Sequence, residues 1–419
     1  MSRRYSEIGE ESFIEFSNRY ESFKDFAIGQ SLLDLSRSST IRKAIVACDW
    51  DDFLQKLSTK SVIATDSNTR TKNMKVIMVI SGQGYQTSEM GNQLYKSEPT
   101  YKQIVDKIDN TFNRFIGFSI FEKIKHIPSD RKEIFNDQSI AQPALLMFHI
   151  GIIELYRHYG IEADITLAQS FGEITAAYVA GCISLETSVK IIYHRSIIKS
   201  NDDSVGKMML VRMSHQLFVE KYTERFPTVE IICYNAPSLF FVSGDPEVID
   251  QLKLLLEQEH IGSIDSLLPG SFHSRKQKAL KPKVLSSLSP MDDAQPPKIQ
   301  WYSTVTGDVY KDRFTAKYVY DNLRRPVKFE QALNSLHRDI KDSFDDHVFL
   351  EIAPRPVYSK QIKACIDQFE SIISPLQVGK DERISFLESL GSLYCNGIKV
   401  DFTKQYTVKE LNEYKLKNQ

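Results

Sequence analysis

Three residues carry the chemistry that type and spacing can offer here: Ser170, His273 and Arg195. Ser170 stands in ITLAQSFGEITAAYVAG, Ile165 to Gly181, which reads as a buried strand, a tight turn and a helix. Ala168 and Gly172 flank the serine two residues away on either side. So little side-chain volume lets strand and helix approach closely and pushes the hydroxyl outward, as in a nucleophile elbow. Gly172 opens the helix, whose first N–H groups lack partners, so an oxyanion beside Ser170 would meet donors and a favourable dipole. A serine nucleophile needs a base within hydrogen-bond reach, supplied from elsewhere in the chain. His273 lies in PGSFHS, a turn-like stretch marked by proline and glycine. Arg195 falls on a helix expected over Leu185 to Lys199, three residues from both Ile192 and Ile198, which sets a permanent cation on an apolar face. A buried cation needs a partner. The pattern leaves open whether that partner is an internal carboxylate, solvent reached by snorkelling, or a bound anion.

These residues must be positioned by several elements. Lys75 to Ile80 is the first strongly buried strand; it runs into SGQGYQ, whose two glycines permit an unusual backbone and could aim an N–H at Ser170. As a phosphate loop this stretch is weak, because neither GxGxxG nor GxxxxGK follows. Leu145 to Tyr159 reads as an amphipathic helix with a proline-marked start at AQP, Ala141 to Pro143. From Lys207 to Leu268 the pattern becomes strand, helix, strand, strand, helix, strand: MMLVRM, His215 to Arg225, VEIICY, LFFVSG, Pro246 to Glu259 and IGSIDSLL, the order of a ferredoxin-like unit. Strands are expected in IQWYSTVTG and DHVFLEIAPRPV, and a helix over Arg383 to Tyr394. Before all of these, a helix near Glu11 to Phe26, a strand at Lys43 to Cys48 and a helix from Asp49 to Leu57 form a small flanking module. SVIATDSNTRTKNMK then reads as a linker.

Composition narrows the class. A chain of 419 residues makes two or three domains with a core that needs no disulfide or metal. The 53 Lys and Arg against 54 Asp and Glu give no global field for nucleic acid or an anionic membrane. Five scattered cysteines without metal spacing suit free thiols. No apolar leader follows MSRRYSEIGEE, and the aliphatic run near Met74 to Ile80 is too short to span a bilayer. The expectation is a soluble cytoplasmic protein.

Taken in order, SGQGYQTSEMG, the AQP helix, AQSFGE, YHRS, NAPSLFFVSGD, GSFHS, WYSTVTG, NLRRPVKF and FLEIAPRPV resemble the motif series of polyketide synthase acyltransferases, the fold of malonyl-CoA:acyl carrier protein transacylases. The likeness runs from about Lys75 to Ala364. RKAIVACDWDDFLQKL resembles the linker between ketosynthase and acyltransferase, and SLGSLYCNGIKVDF the segment after the acyltransferase. The resemblance implies an α/β fold. Residues 75–206 and 269–375 would form an α/β-hydrolase-like large subdomain, 207–268 an inserted ferredoxin-like subdomain, 1–74 a linker-like module and 376–419 a C-terminal segment. It implies a ping-pong transferase in which Ser170 is the nucleophile and His273 its base. The backbone N–H groups of Gln83 and Phe171 would form the oxyanion hole, the Asn322 carbonyl would orient His273, and Arg195 would grip the carboxylate of a malonyl-type group. The expected partners are a donor or acceptor acyl carrier protein, with acyl-CoA a further donor. No resident cofactor is implied, since 4'-phosphopantetheine arrives on the carrier or as CoA. Arg324, Arg325 and Lys328 form a basic cluster suited to an acidic carrier.

The chain departs from the family where substrate is chosen. Gln169 stands where the family has His, and Ala168 where it has Gly. The four residues ending at the catalytic histidine mark specificity in the family; here they are Gly270, Ser271, Phe272 and His273. Phe272 argues against a methyl branch by bulk, whereas Gly270, Ser271 and Gln169 could suit a small polar α-substituent such as amino or hydroxyl. With no ketosynthase or carrier domain in the sequence, the chain is similar to free-standing, trans-acting members of the family that move aminomalonyl units, as in the colibactin pathway, a domain excised from a longer polypeptide being the other reading. Malonyl-CoA is the alternative donor. A hydrolase would share the elbow but has no evident use for Arg195, and a non-catalytic docking subunit would follow if the Ser–His dyad did not assemble.

Overall fold

The computed structural model describes residues 22–32, 41–58, 63–66, 74–125, 132–202, 205–266, 268 and 270–417. The strands are β1 (Ile41–Ala44), β2 (Ile63–Asp66), β3 (Lys75–Ile80), β4 (Ile165–Ala168), β5 (Lys207–Arg212), β6 (Glu230–Ala236), β7 (Leu239–Gly244), β8 (Gly262–Asp265), β9 (Gln300–Ser303), β10 (Asp308–Val309) and β11 (His347–Ile352). KVIMVI and ITLA are aliphatic on both faces, the signature of strands covered on both sides. As β3 and β4 they form the middle of a five-stranded sheet ordered β10-β9-β4-β3-β11, parallel except for the antiparallel edge β10. Ile80 lies opposite Ala168 in that ladder. The SGQG loop and the elbow therefore leave the sheet side by side at its carboxyl end, where open α/β sheets bind ligands.

Helix Gln138–His158 covers this sheet. It begins at Gln138, seven residues before the expected start at Leu145, because Asp137 is its cap and accepts from the Ser139 N–H, which leaves Pro143 inside the helix. It is buried nearly all round rather than amphipathic; of its 21 residues only Ser139, Glu154, Arg157 and His158 escape burial. Among the described residues it is the one helix long and apolar enough to cross a membrane, yet 89% of that apolar window is buried inside the protein, so it is a core helix.

The second sheet, ordered β6-β7-β5-β8, is antiparallel throughout. Helices His215–Tyr222 and Pro246–Gln258 pack on it over Met209, Val211, Phe218, Phe240, Val242 and Leu252. This is a ferredoxin-like subdomain. It is bonded to the large subdomain through the Tyr234 N–H to the Val327 carbonyl at 2.8 Å and the Val327 N–H to the Ile232 carbonyl at 2.9 Å.

The flanks differ most from expectation. The described helix is Phe23–Leu32 rather than Glu11 to Phe26, and residues 1–21 lie outside the described residues. The strand of the module is Ile41–Ala44, not Lys43 to Cys48, and the stretch read as a linker contains β2, its antiparallel partner; 67–73 lie outside the described residues. Helix Trp50–Ser58 closes a small core in which Trp50 sits 5.0 Å from Phe26 and 6.2 Å from Phe53. This module packs against the C-terminal helix Glu382–Cys395. Arg42 bonds the Tyr394 carbonyl at 3.0 Å and lies 5.0 Å from its ring centroid, so the two ends of the sequence share one unit.

Candidate active site

The elbow forms because Gly172 cannot be anything else. A Cβ there would sit 2.7 Å from the Ser81 carbonyl oxygen and 2.8 Å from that of Ile80. Helix Gly172–Val179 is thereby pressed against the end of β3, and Ser170 takes the left-handed conformation at φ 52°. His273 is left-handed too, at φ 58°. Such strain in non-glycine residues persists only where surrounding structure enforces it, and it clusters at functional sites. The Ser170 Oγ and the His273 Nε2 are 2.6 Å apart.

The histidine is held by its other nitrogen. Its Nδ1–H donates to the Arg325 carbonyl at 3.1 Å, which leaves Nε2 free to accept from Ser170. Resemblance placed this carbonyl on Asn322. Helix Ala316–Arg324 ends here, and Arg325, its extended C-cap at ψ 153°, turns its carbonyl outward to the ring. The Asn322 carbonyl also favours the charged ring, but its side chain does different work. Asn322 Nδ2 donates to the Ser170 carbonyl at 2.8 Å, and its Oδ1 accepts from Arg195 Nη1 at 2.5 Å. Asn322 thus ties the elbow to the arginine.

Arg195 is only 2% exposed, and no described carboxylate lies within ion-pairing distance of it. Its buried Nε–H has no hydrogen-bond partner among the described residues, and its guanidinium lies 5.7 Å from the Phe171 ring centroid. Neither an internal salt bridge nor snorkelling describes it. Burial pulls its pKa down to about 9. A buried cation with an unused donor fits an anion brought by a ligand. Burial, and next the Arg195 charge, pull His273 down to about 3, so the resting imidazole is neutral and its Nε2 lone pair faces the Ser170 hydroxyl. The Phe171 N–H, at the helix start, and the Gln83 N–H, in the SGQG loop, have no acceptor among the described residues. Gln83 is fixed through its side chain, which donates to Gln138 Oε1 at 2.7 Å.

Residues 77–407 match the acyl transferase domain family. The chain belongs to that family. It is 34% identical over 395 residues to the "Probable polyketide synthase 17" of Dictyostelium discoideum, a match covering 91% of this chain but 15% of that protein. The acyltransferase domain from the second module of the salinomycin polyketide synthase superposes with a TM-score of 0.79 at 21% identity, covering 93% of this chain and 89% of that one. A loading acyltransferase from the avermectin synthase gives 0.68 at 25% identity, covering 76% and 99%.

The positions expected to set specificity are already engaged. Gln169 Nε2 donates to Asn235 Oδ1 at 2.6 Å, and its Oε1 accepts from the Tyr358 hydroxyl at 2.9 Å. The fully buried Ser271 hydroxyl is bonded to those of Ser243 at 2.5 Å and Ser274 at 2.9 Å. Both polar groups expected to meet an α-substituent are thus tied up in the fold. Phe272 packs with Met208, Ile232 and Leu268, and the Lys199 Nζ lies 4.6 Å from its ring centroid. Gly270 is left-handed at φ 85° and faces open space. The basic cluster is dispersed: Arg324 lies 3.8 Å from Glu230, Arg325 lies 3.4 Å from Asp321, and Lys328 bonds the Thr306 carbonyl.

Two features escaped the sequence reading. Glu173, fully buried one turn after Ser170, accepts from the Thr304 N–H and hydroxyl at 2.6 Å each and from the Tyr318 hydroxyl at 2.5 Å. Burial raises its pKa to about 7. Tyr318 lies one turn before Asn322, so this carboxyl anchors the helix that reaches the site. The acid within AQSFGE, aimed back into a core, was the available signal. The second feature is Ser81 with His149, 2.9 Å apart and both sealed; the pair is made only where the end of β3 meets the core helix Gln138–His158, which no turn or glycine pattern around either residue marks.

Proposed function

We propose that the chain moves a malonyl-type acyl group from a thioester to the thiol of a 4'-phosphopantetheine carried by an acyl carrier partner, through an ester on Ser170. The buried Arg195 with its unused Nε–H carries this reading. His273 Nε2 takes the Ser170 proton as Oγ attacks the thioester carbonyl, and the oxyanion is received by the Gln83 and Phe171 N–H groups. Collapse breaks the C–S bond, and the imidazolium returns its proton to the departing sulfur. The acceptor thiol then gives its proton to His273 and attacks the ester, and Ser170 is regenerated when its oxygen leaves and regains that proton. Throughout, the free carboxylate of the acyl group lies against Arg195, which distinguishes malonyl from acetyl. No resident cofactor enters the scheme.

The donor we favour is malonyl rather than aminomalonyl, because Gln169 and Ser271 already have their hydrogen bonds and neither offers a free group to an α-amine. The chain spans 15% of the length of its Dictyostelium relative, so we take the acceptor to be a carrier of that kind of assembly line. The experiment is incubation with malonyl-CoA, acetyl-CoA and aminomalonyl-carrier, followed by intact mass. A malonyl adduct that is absent in Ser170→Ala and discharged only by a carrier supports transfer; rapid loss to water indicates a hydrolase, and no adduct ends the proposal.

A further inference from the structure

Tyr358 touches neither Ser170 nor His273, yet its buried hydroxyl lies between the two backbone segments that would hold the oxyanion. It accepts from the Gly82 N–H at 3.2 Å, one residue before Gln83, and donates to Gln169 Oε1 at 2.9 Å, one residue before Ser170. Gln169 continues the chain to Asn235 on β6, in the small subdomain. A hydroxyl with one proton and an amide with one donor end and one acceptor end can complete this chain in only one direction, so it fixes side-chain orientation as well as distance.

The tie is itself anchored. The Tyr358 ring stacks on Phe329 at 5.1 Å between centroids, and its N–H donates to Glu351 Oε1 at 3.0 Å. The same oxygen accepts from the Val357 N–H at 2.7 Å, and Ser374 holds the other carboxyl oxygen at 2.6 Å. The approach of the two loops leaves room for little else, since a Cβ on Gly82 would lie 3.1 Å from both the Gln169 carbonyl oxygen and its Oε1.

We infer that Tyr358 and Gln169 are positioning residues that set the separation of the two oxyanion-hole amides, and that Gln169 braces the small subdomain against the elbow instead of contacting the acyl group. The inference rests on the proposed Ser170 acyl-enzyme. Donors aimed at a developing oxyanion act through preorganisation, and small misplacements are costly in rate while leaving substrate binding intact.

The test compares Tyr358→Phe, Gln169→Leu and Gln169→His with the wild-type chain in single-turnover acylation by malonyl-CoA. Losing a whole oxyanion donor is worth about 100- to 1,000-fold, so loosening one should slow acylation about 10- to 100-fold in Tyr358→Phe and Gln169→Leu. The half-saturating malonyl-CoA concentration should stay within about twofold, because the carboxylate grip of Arg195 is untouched. Gln169→His, which can accept through one nitrogen and donate through the other, should keep the rate. Wild-type rates in Tyr358→Phe overturn the inference. So does a rate loss matched by weaker binding that Gln169→His fails to rescue, which marks a packing role. If the wild-type chain is not acylated at all, the proposed function fails on its own. Amide exchange at Gly82, whose N–H donates to the Tyr358 hydroxyl, then decides the tie: faster exchange in Tyr358→Phe supports it, and unchanged exchange overturns it.

Discussion

The described residues include two serine–histidine pairs of similar geometry, Ser170 with His273 at 2.6 Å and Ser81 with His149 at 2.9 Å. Burial pulls both histidines down to about 3, so neither distance nor basicity tells them apart. Their surroundings do. Ser81 and His149 are sealed, the ring's other nitrogen faces the Thr175 hydroxyl at 3.4 Å, and aromatic rings complete the enclosure. Ser170 is partly exposed on a strained turn, at a helix start with an unused amide and near a buried arginine. A hydroxyl becomes a nucleophile through access and through groups placed to receive charge; a hydrogen bond to histidine is not enough.

The largest expected effect breaks the open pair. Ser170→Ala should abolish the malonyl adduct seen by intact mass, and His273→Ala should slow its formation about 100- to 10,000-fold. Ser81→Ala should still load Ser170. Its cost should appear in chemical denaturation instead, about 1 to 3 kcal/mol for leaving a buried imidazole nitrogen unpaired. Loading of Ser81 in the Ser170→Ala protein would erase the distinction.

Next in size is the cation that only the open pair possesses. Arg195→Ala should cost about 2 to 5 kcal/mol in kcat/KM for malonyl-CoA, roughly 30- to 4,000-fold, and little for acetyl-CoA. Equal losses for both donors would make Arg195 structural.

The open pair was legible in the sequence and the sealed one was not, for a physical reason. Small residues at Ala168 and Gly172 around Ser170 are a local requirement of a sharp turn, and the order of motifs supplied His273, Arg195 and the NLRRPVKF segment. Within that segment the resemblance names the Asn322 carbonyl, which does favour the charged ring, but the 3.1 Å hydrogen bond runs to the Arg325 carbonyl, because that depends on where a helix ends and which way its C-cap turns, which spacing alone does not encode. Gln169 and Ser271 were read as free polar groups, since their partners Asn235, Tyr358 and Ser243 come from distant strands and loops. The ferredoxin-like unit followed from strand and helix order. The joining of β1 and β2 to helix Glu382–Cys395 needed a contact across nearly the whole chain, and a polar stretch around β2 disguised it as a linker.

The sealed pair should show itself in stability. His149 is held neutral in the folded protein, with a pKa near 3 against 6.5 unfolded. Below pH 6.5 the unfolded chain therefore binds the proton first, and stability is lost as pH falls toward 3. By pH 5 this histidine alone should cost about 2 kcal/mol relative to neutral pH. Glu173 acts oppositely between 4.5 and 7, since its raised pKa lets the folded state take up a proton there. Comparing His149→Gln with the wild-type protein removes that background. The stability difference between the two should shrink by about 2 kcal/mol from pH 7.5 to pH 5, and parallel pH curves would mean that His149 is protonated in the fold.

The smallest effect concerns Ser271, which lies two residues from His273 yet resembles Ser81 more than Ser170. It is fully buried, and its hydroxyl is shared with Ser243 and Ser274. A Cβ on Gly206 would sit 2.3 Å from the Ser271 Cβ, so its side chain has backbone closely packed beside it. A site built to hydrogen-bond a substrate amine can discriminate about 10,000-fold against an analogue lacking it, because its own groups are then left unpaired. Ser271 is paired without substrate and has no such penalty to impose. Ser271→Ala should therefore change the malonyl to aminomalonyl ratio by less than about threefold in an equimolar competition, whereas a recognising hydroxyl would shift it by about tenfold or more. A large loss of aminomalonyl preference in that assay would place Ser271 on the substrate side of the pocket and return it to the company of Ser170.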